Sequence, residues 1–244
     1  MKRSLWVICL SAALVITGSG LIVLTATGAF DRSESSKSAG PAPTTSAPLT
    51  VPGEPSTTAT SAPPRPASTT TRYVFPVGGC RADASQSHHD YPASDIFAAK
   101  GCKFVSPVDG RVDEVNRVDS WDPKTNVGRD RGGLSVSVVG VDGVRYYGSH
   151  LSAVGTDIKP GLAVRAGQTL GLTGNTGSAR VTPPHLHFGI SWTTPAGHWW
   201  IRRGAVSPQA FLNAWHDGRQ LSPVSMVAKG KRAYGVERGC RSYC

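Results

Sequence analysis

Between Asp31 and Arg72 lie 42 residues, of which 31 are Pro, Ser, Thr or Ala; none is aromatic, and the only large aliphatics are Leu49 and Val51. A stretch of this kind cannot bury enough apolar surface to offset the entropy of ordering it. It reads as an extended, Pro-stiffened, disordered linker, and its Ser/Thr/Pro content suits O-glycosylation. Any packed domain must therefore be built from residues beyond Arg72. The chain divides into residues 1–30, the linker 31–72, a domain over 73–220 and a basic C-terminal tail over 221–244.

The first segment is an export signal or a membrane helix. Lys2 and Arg3 precede 26 uncharged residues, Leu5 to Phe30, of which 18 are Ala, Val, Ile, Leu, Phe, Trp or Cys. A transmembrane helix needs about 20 mostly apolar residues and a signal-peptide core about 7–15. Length favours a retained transmembrane anchor with Lys2 and Arg3 on the cytoplasmic side. A signal peptide cleaved near Ala26-Thr27-Gly28 is the competing reading. Either way the rest of the chain is expected outside the cytoplasm, single-pass anchored or secreted.

The 244 residues carry a net charge of +10. That excess is spread as +3 before residue 73, +3 over 73–220 and +4 in the tail. There is no dense basic stripe with interleaved aromatics, so a nucleic-acid partner is not expected. Weak attraction to anionic envelope polymers is the expectation for an exported chain. Collagen, disulfide-dense miniproteins and long coiled coils are excluded by the absence of a Gly period, by only 5 Cys and by the lack of a heptad-rich stretch.

Strand signals dominate the domain. Leu134 to Val139 and Val144 to Tyr147 flank Gly140-Val141-Asp142-Gly143, whose Asp-Gly pair marks a hairpin turn. Val105 to Val108, Arg111 to Val115, Val164 to Leu170 and His185 to Trp192 are further candidates. Pro208 to His216 is the one convincing helix, with Ser207 as its N-cap. The expected fold class is mostly β, a small antiparallel β-sheet or β-roll domain.

Five of the seven histidines fall in three clusters: His88-His89-Asp90-Tyr91-Pro92-Ala93-Ser94-Asp95, Ser149-His150-Leu151 and Pro184-His185-Leu186-His187-Phe188. On a strand, His185 and His187 project from one face and can share a site. His198 and His216 stand alone and read as surface or rim histidines. Catalytic zinc sites take three protein ligands from His, Asp, Glu or Cys and leave a position for water. No HExxH helix, serine elbow or evident carboxylate pair offers a competing chemistry.

The ordered set of motifs resembles the lysostaphin-type zinc metallopeptidases, the LytM domains. The matching stretches are Tyr91 to Ala98, Val105 to Val112, Tyr147 to Leu151, Gly167 to Gly171, Gly174 to Gly177 and His185 to Phe188, spread over roughly residues 75–195. The resemblance implies a LytM-type domain with a groove over one Zn2+ ion. It implies His89, Asp95 and His187 as metal ligands and His150 and His185 as the two other active-site histidines. The His-to-Asp spacing is longer here than is usual in the family, so a short insertion is implied. Either His88 or His89 could then reach the metal, with His89 preferred. His150 and His185 would orient water, accept its proton and stabilise the oxyanion.

The implied function is an exported zinc metalloendopeptidase that hydrolyses peptide bonds of peptidoglycan. The alternatives are a non-catalytic LytM module that binds the envelope or activates a separate cell-wall hydrolase, and a metal- or glycan-binding adhesion module. In an oxidising compartment Cys80 and Cys102 can form a bridge that encloses the first metal motif, while Cys240 and Cys244 can form another or stay free. The polar loop Asp119 to Gly133 is a candidate groove wall. Trp192, Trp199 and Trp200 are expected in core or rim packing, with lining of the groove as the alternative, and Tyr147 as a packed strand residue, with a role in supporting the site or its oxyanion as the alternative.

Overall fold

A computed structural model describes residues 70–84 and 87–237. The anchor or signal segment, almost all of the linker, Cys240 and Cys244 lie outside the described residues. Among those described, no helix is long and apolar enough to cross a membrane.

The strands are β1 (Val77–Gly78), β2 (Ala82–Asp83), β3 (Ser94–Ala98), β4 (Lys103–Val105), β5 (Gly110–Asn116), β6 (Leu134–Gly140), β7 (Arg145–Leu151), β8 (Ala153–Val154), β9 (Ala163–Val164), β10 (Thr169–Leu172) and β11 (His185–Ser191). Three helices lie beyond them: α1 (Trp199–Arg202), α2 (Gln209–His216) and α3 (Val224–Tyr234). Two 3-10 turns sit at Gly128–Asp130 and Gly177–Val181. The larger sheet runs β2-β3-β11-β7-β6-β5-β9 and the smaller β1-β4-β10-β8. Every pairing is antiparallel, as the mostly β reading requires.

The strands form where β-branched and aromatic residues alternate across a pleat. Along β11, Leu186, Phe188 and Ile190 are wholly buried on one face. Burying each such side chain contributes about 1.5–3 kcal/mol. Tyr146 of β7, Val136 and Val138 of β6, Ile96 of β3 and Phe104 of β4 complete that core. Gly148 lies opposite Phe188 and leaves room for the Phe104 ring, with which a Cβ at Gly148 would collide. The opposite face of β3, β11 and β7 is thereby free to carry polar groups.

The β6–β7 hairpin forms where Asp-Gly marks its turn, with Gly143 at φ 76°. Two expected strands are shorter than predicted. Val105 to Val108 leaves its sheet at Ser106, ahead of Pro107, which has no N–H to continue the ladder. Val164 to Leu170 is broken into β9 and β10 by a turn at Gly167, φ 88°. Helix α2 forms as expected, but no side chain caps it, so the Ser207 N-cap is not realised.

Part of the basic tail is helical. Residues 224–234 are helix α3, held by Val227, which is buried, and by Gly230, whose Cα side lies against the Trp192 ring. Pro223, Val227 and Gly230 give barely one contact per turn, too sparse a stripe to register as an apolar period. Short α1 was also unpredicted. The Cys80–Cys102 disulfide is formed and links the approach to β2 with the approach to β4.

Candidate metal centre

The site is set by register. In the β3–β11 pair His187 lies opposite Asp95 and His185 opposite Phe97; in the β11–β7 pair His187 lies opposite Ser149. Cross-strand partners share a face, so Asp95, His185 and His187 project together away from the core. His187 Nδ1 is 2.9 Å from Asp95 Oδ1. His185 Nε2 is 3.9 Å from the same oxygen.

His150 reaches the site by another route. Strand alternation would turn it toward the core with Gly148 and Tyr146. Instead its backbone has φ 62°, a left-handed conformation uncommon outside glycine, and its N–H donates to Gly132 O at 2.9 Å. The ring is thereby turned back, with its centroid 5.0 Å from that of His185 and 5.9 Å from that of His187. Local strain held by the surrounding fold at a cluster of polar groups is a mark of a functional site.

Between β2 and β3 the chain closes a tight loop: Ser87 bridges Ser94, and the His88 N–H donates to Ala93 O at 3.0 Å. This places His88 over β11, with ring centroids 5.0 Å apart from His187. Ligand atoms of His88, Asp95 and His187 lie within 4.8 Å of one another. Of the two candidate histidines, His88 is the one grouped with Asp95 and His187, while His89 falls with His88 and Asp90. The His89 side chain is 83% exposed and lies 3.3 Å from Asp90, at the rim of the cavity that these groups share. The two rings stack on one another 5.0 Å apart, and of the pair it is His88 whose ring meets His187. The loop closure selects His88.

Hydrogen bonds fix which nitrogens are available. His150 Nδ1 lies 2.8 Å from Thr176 O and His185 Nδ1 2.9 Å from Pro183 O. A carbonyl only accepts, so both Nδ1 atoms are assigned the proton and both Nε2 atoms keep a lone pair. His187 Nε2 faces Arg203 O at 3.2 Å and the Tyr91 hydroxyl at 3.1 Å, and Nδ1 faces Asp95 Oδ1 at 2.9 Å; the tautomer protonated at Nε2 is the one that frees Nδ1 for a metal. The Arg203 carbonyl can come this close because position 189 is glycine; a Cβ there would collide with that oxygen. In that tautomer His187 Nδ1 and Asp95 Oδ1 present two lone pairs to one another. Such a pair calls for a shared cation, and two imidazoles with one carboxylate are a donor set that suits zinc.

The electrostatics agree. Burial, reinforced by the charge of His187, pushes His88 down to about 3. Burial and the charges of His187 and His185 push His150 well below its ordinary value. Burial alone would raise Asp95, but the closeness of His187, reinforced by His185 and His88, outweighs it and holds the carboxyl well below its usual range. A neutral His88 beside an ionised carboxylate suits metal binding.

These groups open into a cavity of about 250 Å3 lined by His88, Asp95, His150, His185, Arg131 and Arg203. A neighbouring cavity of about 600 Å3 shares Arg203 and adds Tyr147, Trp199, Gly132 and Gly133. The loop from Asp119 to Gly133 does form a wall. Asp119 accepts from the Gly177 N–H at 3.0 Å and from Arg180 at 2.9 Å. Trp192 is core, whereas Trp199 lines the cavity. His198 and His216 join neither cluster. Sequence reasoning missed Tyr91, Arg203 and Gly132, whose missing Cβ leaves room for the Tyr147 hydroxyl.

Residues 89–198 match peptidase family M23. A curated relative, the L-Ala--D-Glu endopeptidase of Bacillus subtilis (strain 168), is 27% identical over 157 residues, which are 62% of this chain and 43% of the relative. The chain thus spans less than half the length of that relative. Among solved structures, the catalytic domain of lysostaphin from Staphylococcus simulans is 23% identical over 55% of this chain and 92% of that one, with a TM-score of 0.40. A zinc-containing peptidase from Vibrio cholerae is 21% identical over 55% of this chain and 36% of that one, with a TM-score of 0.35.

Proposed function

This chain carries a peptidase family M23 domain, and on that premise we propose that it is a zinc endopeptidase that cuts peptide bonds of peptidoglycan. The observation that carries the reading is the joining of His88, Asp95 and His187 at one point, with His150 and His185 beside it. The first three would hold zinc, which supplies Lewis acidity toward a peptide carbonyl and toward water. The Nε2 atoms of His150 and His185, both unprotonated in this assignment, can accept the proton of an attacking water. Each can return it to the leaving amine. Thr176 O and Pro183 O hold these rings in place, so the acceptors are preorganised.

Peptidoglycan as substrate rests on the motif resemblance and on export. Export is supported by the apolar Leu5–Phe30 stretch, the linker and the Cys80–Cys102 disulfide, which suits an oxidising compartment. We propose that residues 1–30 either anchor the chain in the membrane or are removed on secretion. Incubating the full chain with purified peptidoglycan, zinc-loaded or chelated, and mapping the released fragments by mass spectrometry tests the reading. New amino termini that need zinc are expected. Binding without cleavage would favour a module that activates a separate hydrolase.

A further inference from the structure

We propose that Arg203 forms a carboxylate-binding subsite beside the metal centre, so that the substrate is a peptide with a free carboxylate near the cut bond. The inference deepens the peptidase reading and rests on it. Arg203 is 6% exposed, yet no carboxylate pairs with it among the described residues. Its guanidinium lies over the Tyr91 ring at 5.6 Å and the Trp199 ring at 5.9 Å. Its one side-chain hydrogen bond among the described residues runs from Nη1 to Gly128 O at 3.0 Å. The Nε atom is buried without an acceptor. Nη2 makes no hydrogen bond among the described residues and is not enclosed as Nε is, so it is the donor left to face a carboxylate.

The other arginines around the two cavities are already committed. Arg145 and Arg202 both pair with Asp113 and Glu114, at 2.6–3.1 Å. Arg129 lies 3.9 Å from Asp130, and Arg131 donates to Asn126 at 2.9 Å. Of these, Arg203 alone is a buried charge without an anion among the described residues, which is costly unless a ligand supplies one. It lines both the metal cavity and the larger cavity, so a carboxylate bound there would lie next to the reacting bond. Because its carbonyl also accepts from His187 in the tautomer protonated at Nε2, the same residue would align ligand and substrate.

The test compares native peptidoglycan with the same polymer after its carboxylates are converted to carboxamides by carbodiimide and ammonia. Cleavage and co-sedimentation are both measured with the zinc-loaded full chain. The wild type should cleave the native polymer about tenfold to a hundredfold faster, the range of a charged hydrogen-bonded pair. Arg203→Gln should bring the native rate down to the amidated one, and Arg203→Lys should recover part of the difference. Melting temperature and zinc content report whether each variant is folded and loaded. Equal wild-type cleavage of both polymers overturns the inference and leaves the peptidase reading intact. Loss on both polymers with the ratio preserved in Arg203→Gln assigns a structural role and also overturns it. Carboxylate-dependent binding that Arg203→Gln abolishes, with no cleavage of either polymer, supports the subsite and sinks the peptidase reading. No cleavage and no carboxylate-dependent binding overturns both.

Discussion

His187 and Asp95 face each other at 2.9 Å because they are direct partners in the β3–β11 ladder. A one-residue slip would send every side chain of β11 to the other face, exchanging His185 and His187 for Leu186 and Phe188. The wholly buried Leu186, Phe188 and Ile190 therefore hold the metal ligands in register.

The adjacent histidines before β3 separate cleanly. His88→Ala should abolish stoichiometric zinc binding, whereas His89→Ala should keep it, as read by metal analysis after dialysis. The opposite pattern would restore His89 as the ligand.

The Cys80–Cys102 bridge closes a loop of 22 residues that carries both His88 and Asp95. Its loss should cost roughly 3 kcal/mol in the chain-entropy account. Cys102→Ser with Cys80→Ser should lower the melting temperature and weaken zinc affinity. An unchanged affinity would show that the β3–β11 pairing alone fixes the site.

What was legible in the sequence was whatever alternation and composition encode. His-Leu-His in a β-rich stretch placed His185 and His187 on one face, and the Asp-Gly turn located the β6–β7 hairpin. His150 could not be placed by parity, because its left-handed backbone depends on Gly132 O, a tertiary partner. The selection of His88 depends on the Ser87–Ser94 bridge, which no spacing rule contains. Arg203 left no mark at all: its place comes from backbone passing over Gly189. Helix α3 was missed because it docks through little more than Val227 and Gly230.

Acid should destabilise the metal-free protein. His88 titrates at about 3 when folded and near 6.5 when unfolded, and His150 is also shifted down. The unfolded state thus binds more protons below about 6.5, so stability falls as pH drops from there toward 3. The depressed Asp95 acts in the same direction at the acid end. Melting temperatures of metal-free protein between pH 7 and 4 should decline, with a smaller decline for His88→Gln. A flat profile would contradict the neutral, buried imidazoles.

Asp113 pairs with both Arg145, 1% exposed, and Arg202. Asp113→Ala leaves a buried guanidinium short of its partner and should cost about 3 kcal/mol. Urea unfolding measures it, and a loss near zero would show that Glu114 alone suffices.

The most direct test of the account is the rate at which new amino termini appear when the zinc-loaded chain meets purified peptidoglycan, measured beside His187→Ala. The account predicts steady release by the wild type, abolished by chelator, restored by added zinc and absent in His187→Ala. Release that persists in the chelated protein or in His187→Ala would contradict it.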